Sequence, residues 1–255
     1  MIKLEAQFLT FLSNTSLFLQ NNFFNLPTFL YIDTAGETAT IAISMDQQLY
    51  AIEQNLVPNS HASFVQLAIQ KVVNELNITM NAIDAVVVTM GPGSYTGLRV
   101  GLSSAKGIAY ALSKPLIGLS TLELLAGHAA SHEQVQKNRD SIQIFSMIDA
   151  KRMEVFGAVY KSDKTLLIDS QSIILDENYL IQLLNQGPLL CVGNAATKAK
   201  EIVEHPDLYF MESSYGINEL IKLAHIKWEV KEFEDIAYSK PAYLKDFYQI
   251  PKKIS

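Results

Sequence analysis

The pattern of hydrophobic and polar positions along the chain predicts strands and helices in a definite order. Short apolar or alternating runs predict strands, and apolar positions three or four residues apart predict helices. In the first half, strands are predicted at residues 30–34, 38–44, 49–54, 85–89 and 114–118. Helices are predicted at residues 60–76, at 95–112 and after Ser120, with Ser60 and Ser120 as caps of the first and the last of these helices. Because the connections between the first three strands are short, these strands are predicted to form an antiparallel meander.

The pattern restarts after a polar segment, residues 131–140, which is the predicted lobe boundary. The second half has predicted strands at residues 142–148, 154–160, 165–175 and around Cys191, and predicted helices at residues 177–185, 195–204 and 216–228. Each half opens with three strands, and the first of them ends near an aspartate, Asp33 or Asp149. We therefore predict a duplicated β-β-β-α-β-α unit, which gives an α/β protein with mixed sheets covered by helices.

Composition and charge narrow the functional classes. Of 255 residues, 49% are hydrophobic and 18% charged, which predicts a folded chain with a large core. The net charge of −6 argues against a free-standing nucleic-acid binder. The single cysteine, Cys191, excludes an internal disulfide and a multi-cysteine metal site. Its apolar neighbours predict a buried, unreactive thiol.

The first 27 residues form a separate segment. They are rich in Phe and Leu, but Asn and Gln interrupt the apolar runs. This segment lacks both a continuous apolar span of about 20 residues and a small-residue cleavage site. We expect it to be a poorly ordered extension or the product of an early start codon. No other segment has the length and apolar character of a membrane span, so we expect a cytoplasmic protein.

The most distinctive motif, residues 91–99, joins the strand at 85–89 to the helix after it. A strand that leads through a glycine-rich turn into a helix presents backbone N–H groups that can bind an anion. The glycine spacing fits neither G-x-G-x-x-G nor a P-loop. Two interpretations stay open: a turn in which Ser94 or Thr96 caps the helix, and a weak anion or nucleotide site. The candidate residues for such a site are Asp33, Gly91, Gly93, Ser94 and Thr96.

Two helices carry candidate partner contacts. On the helix from Ser60, Phe64 and Leu67 lie off the apolar arc, among charged residues. They are either partner contacts or scattered surface hydrophobes. The next helix has a ridge of small residues that faces either a partner helix or the chain's own sheet. The ridge consists of Gly97, Gly101, Ala105 and Ala109.

Together these motifs resemble the bacterial TsaB (YeaZ) family of the actin-like ATPase superfamily. The matching segments are residues 32–35, 91–99, 148–156 and 241–245, and the last has Lys245 where arginine is more usual. The match runs from about residue 28 to 245, and family members usually begin near Phe29. The resemblance implies a two-lobed actin-like (ASKHA, RNase H-like) fold. The expected division is an N-terminal lobe at 28–130, a C-terminal lobe at 141–248 and a tail at 249–255.

The resemblance also implies a role in making N6-threonylcarbamoyladenosine on tRNA. In this family the protein is the noncatalytic partner of the related transferase TsaD, together with the ATPase TsaE, and it reaches tRNA through that complex. The helices with Phe64, Leu67 and the small-residue ridge are implied to form a bundle with their counterparts in TsaD. A homodimer in the absence of TsaD stays open.

The nucleotide loops predict a degenerate active site. Actin-like ATPases and kinases need glycines that let the backbone approach the phosphates. Ala35 occupies the usual glycine position of the first loop, and the second loop, residues 149–152, has no glycine. We therefore expect no catalytic residue and no tightly bound cofactor, with ATP or ADP at most shared with the partner complex. The alternative function is a free-standing actin-like ATPase or small-molecule kinase.

Metal and nucleophile patterns are weak. The resemblance implies that a metal-binding His-x-x-x-His pair of the sister transferase falls here on Thr121 and Leu125, and leucine cannot ligate a metal. His128 and His132 are four residues apart without the Glu of H-E-x-x-H, so we expect surface histidines. The sequence has no G-x-S-x-G motif for a serine nucleophile.

Overall fold

The computed structural model describes residues 26–57 and 60–245. The predicted tail, residues 249–255, lies outside these ranges, and so does the predicted extension, residues 1–27, except for Leu26 and Pro27. The strands are β1 (Thr28–Asp33), β2 (Ala39–Met45), β3 (Gln48–Asn55), β4 (Ala85–Gly91), β5 (Leu116–Ser120), β6 (Gln143–Asp149), β7 (Glu154–Lys161), β8 (Leu166–Ile174), β9 (Leu189–Val192) and β10 (Leu208–Met211). The helices are α1 (His61–Glu75), α2 (Tyr95–Leu112), α3 (Thr121–Ala129), α4 (Glu133–Lys137), α5 (Glu177–Leu184), α6 (Ala196–Ile202) and α7 (Ile217–Glu229), with a 3₁₀ turn at Met80–Ala82.

The two sheets have the same topology. Their strand orders are β3-β2-β1-β4-β5 and, read in the equivalent direction, β8-β7-β6-β9-β10. In each sheet the first three strands are antiparallel and the last two run parallel to the first. The predicted α/β class and the duplicated unit are confirmed. The short elements β10, α4 and the 3₁₀ turn were not predicted, because runs of three to five residues carry little periodicity.

The first sheet is covered on both faces. Residues of α1 and α2 pack on one face, in the core cluster that contains Ile32 and Val88. Helix α7 follows the second sheet in the chain, yet its Leu220 and Ala224 pack on the other face of the first sheet, against Phe29. Helix α3 contributes to a core cluster with the second sheet. Helix α3 therefore lies between the sheets, with α7 beside it on the first sheet. The division into lobes at 131–140 stays a prediction.

Helix starts follow the predicted caps in two of three cases. The Ser94 hydroxyl accepts from the Gly97 N–H at 3.2 Å, and the Ser120 hydroxyl accepts from the Glu123 N–H at 3.4 Å. Ser60 occupies the N-cap position of α1, but its hydroxyl donates to the Val57 carbonyl instead. The prediction that Ser60 caps the helix is therefore wrong for its side chain.

The small-residue ridge of α2 faces inward. All four of its residues are buried. A Cβ added at Gly97 would lie 2.1 Å from the Thr34 carbonyl oxygen, and one at Gly101 would lie 2.2 Å from the Thr34 hydroxyl. The ridge thus packs against the chain's own first strand, and the prediction that it lines a partner surface is wrong. The residues concerned are Gly97, Gly101, Ala105 and Ala109.

The thiol of Cys191 is buried, as its apolar neighbours predict. Burial raises the pKa of this thiol. Within residues 26–57 and 60–245, none of the helices combines the length and apolar character needed to cross a bilayer.

Candidate functional site

The equivalent strands β1 and β6 end in Asp33 and Asp149, and both aspartates line a cleft between the sheets with a volume of about 1040 Å³. Each carboxylate accepts a backbone N–H two residues further on. Asp33 accepts from Ala35 at 3.0 Å, and Asp149 accepts from Lys151 at 2.8 Å. The duplication therefore places the same aspartate turn twice at one cleft.

The Asp33 carboxylate is buried in a closed hydrogen-bond network. The Thr89 hydroxyl donates to it at 2.8 Å, and the Tyr215 hydroxyl also donates to it. Burial raises the pKa of Asp33, and the pKa-lowering effects of these hydrogen bonds and of nearby His61 are smaller. Asp33 thus acts in this structure as an acceptor that joins β1, β4 and the segment before α7.

Removing this acceptor should destabilise the fold. We expect Asp33→Ala to lower the free energy of unfolding by about 2–4 kcal/mol, because the Ala35 N–H and the Thr89 and Tyr215 hydroxyls lose their shared acceptor. We expect Asp33→Asn to change it by less than about 1 kcal/mol, because one amide oxygen still accepts two hydrogen bonds. Urea unfolding at neutral pH measures both.

The pH dependence gives the control for this prediction. A carboxyl whose pKa is raised by folding stabilises the protein when protonated, and this stability is lost as pH rises through the folded pKa. The stability of the wild type relative to Asp33→Asn should therefore decline as the pH rises from the acid range. An equal loss for Asp33→Asn and Asp33→Ala would contradict the role of Asp33 as a hydrogen-bond acceptor.

Asp149, in contrast, is held by a lysine of the second half. The Lys198 ammonium donates to the Asp149 carboxylate at 2.6 Å and to the Glu154 carbonyl at 3.0 Å. The hydrogen bond from Lys198 lowers the pKa of Asp149. The sequence gives no local signal for this pair, because Lys198 lies 49 residues further along the chain. Asp149 therefore forms an ion pair with a residue of the same half of the chain.

The loop after Asp149 has a strained backbone. Lys151 and Arg152 have φ angles of 72° and 52°, a left-handed conformation that costs non-glycine residues roughly 1–2 kcal/mol each. The Lys198 ammonium donates to the Arg152 carbonyl, and the Glu154 N–H donates to the Lys151 carbonyl at 3.2 Å. A nucleotide loop would place glycines here. This loop instead places two long cationic side chains on a fixed backbone.

Residues 91–94 pack on the loop after β1. The Ser94 N–H donates to the Ala35 carbonyl at 2.7 Å, and a Cβ at Gly93 would lie 2.3 Å from the same oxygen. The Gly91–Pro92 peptide bond is cis. Two N–H groups of the 91–99 motif, those of Ser94 and Gly97, donate to acceptors inside the chain.

The candidate anion residues are only partly brought together. Asp33, Gly93 and Ser94 line the cleft, whereas Gly91 and Thr96 do not. Anion or nucleotide binding by these five residues stays a prediction.

The positions compared with the metal-binding pair also reach the cleft. Thr121 and Leu125 are buried and line it. In the described part of the chain, no three His, Cys, Asp or Glu side chains are close enough together to hold a metal. His128 Nδ1 lies 3.8 Å from a Glu219 oxygen, and His132 caps α4. The two histidines therefore belong to different elements and share no helix face.

A second small-residue ridge lies on the solvent side of α2. Ser103, Gly107 and Ala111 are exposed and four residues apart, and a Cβ at Gly107 would meet nothing within 4 Å. Tyr110 of the same helix is 78% exposed. Leu67 is 68% exposed on α1, whose Gln66 amide donates to the Ser104 hydroxyl of α2 at 3.1 Å. We call this second ridge, together with Tyr110 and Leu67, the α1–α2 face. This ridge has the same four-residue spacing in the sequence as the buried one, on which the partner contact was predicted.

Phe64 lies next to this face without belonging to it. Its side chain is partly buried against the core cluster of the first sheet. Of the two apolar residues singled out in the sequence, only Leu67 is largely exposed.

The C-terminal segment, residues 234–245, contacts both the 91–99 motif and the 148–156 segment. It begins where the Glu234 N–H donates to the Leu116 carbonyl at 2.8 Å. Near its end, the Arg99 guanidinium lies 3.9 Å from the Tyr95 ring centre and donates to the Tyr243 hydroxyl at 2.9 Å. Lys245 forms an ion pair with Glu154 of β7. This segment thus links the start of α2 to the second sheet.

Comparisons with known proteins agree with this architecture. A family model described as TsaD, tRNA N6-adenosine threonylcarbamoyltransferase, matches residues 55–248. The tRNA threonylcarbamoyladenosine biosynthesis protein TsaB of Bacillus subtilis is 27% identical over 69% of this chain and 75% of its own length. The Escherichia coli protein of that name is 31% identical over 53% of this chain and 55% of its own length. This chain therefore matches about half the length of the second relative.

Solved structures show the same fold. YeaZ from Pseudomonas aeruginosa superposes with a TM-score of 0.71 over 86% of this chain and 100% of that chain, at 21% sequence identity. The fold predicted from the motifs, with two mixed sheets and covering helices, is confirmed by this superposition.

Proposed function

We infer the function of this chain from the family to which it belongs, that of the tRNA N6-adenosine threonylcarbamoyltransferase TsaD, and within it from its similarity to the TsaB (YeaZ) proteins. The chain acts in the biosynthesis of threonylcarbamoyladenosine on tRNA. Two curated relatives, from Bacillus subtilis and Escherichia coli, carry this function in their names.

We propose that its part in this biosynthesis is that of a partner subunit of TsaD with no chemistry of its own. Its cleft is lined by Leu125, which has no ligand atom, and by Asp149, which Lys198 already neutralises. Gly93 and Gly97 pack closely against the backbone of residues 34 and 35, so the space beside them is filled by the chain itself and not left for a phosphate. These features favour a structural role over that of a free-standing ATPase or kinase.

The observation that carries the proposed role is the α1–α2 face. It combines Leu67 and Tyr110 with a ridge of small residues. Exposed apolar side chains beside such a ridge allow another helix to approach closely and bury them. TsaD is the proposed partner on this face, and TsaE joins in a larger complex through which tRNA is reached. Any ATP or ADP is shared with that complex. Without TsaD, a homodimer would use the same face.

Reconstitution tests the proposal. TsaD and TsaE from the same organism are mixed with a tRNA transcript and the threonylcarbamoyl donor, with or without this chain, and modified adenosine is quantified by mass spectrometry of digested tRNA. We expect modification only when the chain is present, and co-elution of the chain with TsaD on gel filtration. Equal modification without the chain, or ATP turnover by the chain alone, would contradict the proposed role.

A further inference from the structure

Four cationic side chains follow one another from the cleft, where Lys151 is a lining residue, to the start of α2. Lys151 and Arg152 lie in the loop after β6, Lys245 lies beside Glu154, and Arg99 lies at the start of α2. The Lys151 side chain is 90% exposed and that of Lys245 is 51% exposed. We call these four residues the basic ribbon.

Contacts within the chain make the ribbon continuous. The Arg99 side chain donates to the Tyr243 hydroxyl, and Tyr243 lies two residues before Lys245. Lys245 and Arg152 both lower the pKa of the same carboxylate, that of Glu154. Lys151 Nζ is 3.7 Å from one carboxylate oxygen of Asp149, and Lys198 pairs with the other.

The local charge is opposite to that of the whole protein. The four ribbon cations and Lys198 share two paired carboxylates, Asp149 and Glu154, so this set of directly interacting groups sums to +3. The whole chain carries −6. A localised positive patch on an acidic protein attracts a polyanion to that place and repels it elsewhere.

Two tyrosines extend the ribbon at its Arg99 end. The Tyr95 and Tyr243 ring centres are 5.5 Å apart, and the Arg99 guanidinium lies over both rings. Each tyrosine is about two-fifths exposed. Exposed aromatic rings and arginine planes stack on unpaired bases, while neighbouring cations contact the phosphates.

We propose that the basic ribbon, with Tyr95 and Tyr243, is a contact surface for an unpaired segment of tRNA. Lys151 and Arg152 contact phosphates, and the tyrosine pair with Arg99 offers the stacking surface. The left-handed backbone of the 149–154 loop fits this role, because the loop retains two cations at positions where glycine would relieve strain. The inference rests on the proposed function, since it names a direct contact between this chain and the tRNA.

The test uses the complex of this chain with TsaD, a fluorescein-labelled tRNA transcript and fluorescence anisotropy at several salt concentrations. The double variant Lys151→Gly, Arg152→Gly should weaken tRNA binding about tenfold and reduce the salt slope by about 1.5, since each lost phosphate contact removes about 0.7–0.9. Its melting temperature should equal or exceed that of the wild type, because glycine adopts the left-handed conformation without strain. Unfolding is thereby separated from loss of binding.

Two further variants complete the test. Tyr243→Leu should weaken tRNA binding without changing the salt slope, because it removes stacking and no charge. Lys200→Glu, at an exposed position on α6 outside the ribbon, is the matched charge control and should bind like the wild type. Unchanged tRNA affinity of the glycine variant, with TsaD binding intact, would overturn the RNA contact and leave the proposed function standing. Loss of TsaD or TsaE binding with unchanged tRNA affinity would instead identify a protein-docking surface.

Discussion

The double variant Leu67→Asp, Gly107→Leu is expected to lose at least about a hundredfold in affinity for TsaD, which corresponds to about 2.7 kcal/mol. Leu67 is the apolar anchor of the α1–α2 face, and an aspartate there would lose its hydration on binding without gaining a partner. A leucine at Gly107 would stand on the small-residue ridge and hold a second helix away. Both positions are exposed, so the variant should fold normally.

Isothermal titration calorimetry with TsaD measures the affinity, and thermal melts check the fold. The control is Ile226→Asp on α7, which places the same charge at a half-exposed apolar position (51%) away from the α1–α2 face. It should bind TsaD like the wild type. Wild-type affinity of the double variant would show that the helical bundle lies elsewhere. Substitutions at Gly101 do not test the interface, because that glycine is buried against Thr34.

A second large effect is expected on the free energy of unfolding, because α2 contains a buried glycine, Gly97, and an exposed one, Gly107. Gly97→Ala should lower the free energy of unfolding by about 3 kcal/mol or more, because its Cβ would lie 2.1 Å from a backbone oxygen of Thr34 and α2 would have to move. Gly107→Ala, in the same helix, should raise it by about 0.5–1 kcal/mol, because alanine is the better helix former and its Cβ meets open space.

Urea unfolding of the two variants side by side gives the comparison. The chemical change is the same in both, so helix propensity alone would move them in the same direction. Opposite signs are expected only if α2 lies against the first strand as described. A Gly97→Ala variant as stable as the wild type would contradict the close contact between α2 and Thr34.

Local patterns in the sequence were sufficient for the fold because the repeat is regular. The short apolar or alternating runs of β1 to β3 and the apolar arc of α1 each predict their element, and the aspartates at the ends of β1 and β6 identify the duplication. Such patterns could not predict which of the two small-residue ridges of α2 is buried. Both ridges repeat every four residues, and only packing on β1 decides which faces inward.

Parts of the site depend on contacts distant in sequence. Arg99 meets Tyr243 across 144 residues, and Lys198 meets Asp149 across 49. No local periodicity encodes such pairs. The family resemblance matched Thr121 and Leu125 to a metal-binding pair, but their position at the cleft was not predicted and follows from their place after the end of β5.

The position of α7 has a consequence for how the protein is made. The chain completes β1 to β5 by residue 120, but the helix that covers Phe29 and Ile117 spans residues 217–229. On the ribosome, where N-terminal parts emerge first, this sheet has one apolar face open while the entire second sheet is synthesised. A nascent chain or truncated product that stops before α7 therefore exposes that face to chaperones and proteases, and the first lobe reaches its final form only when nearly all of the chain has been translated.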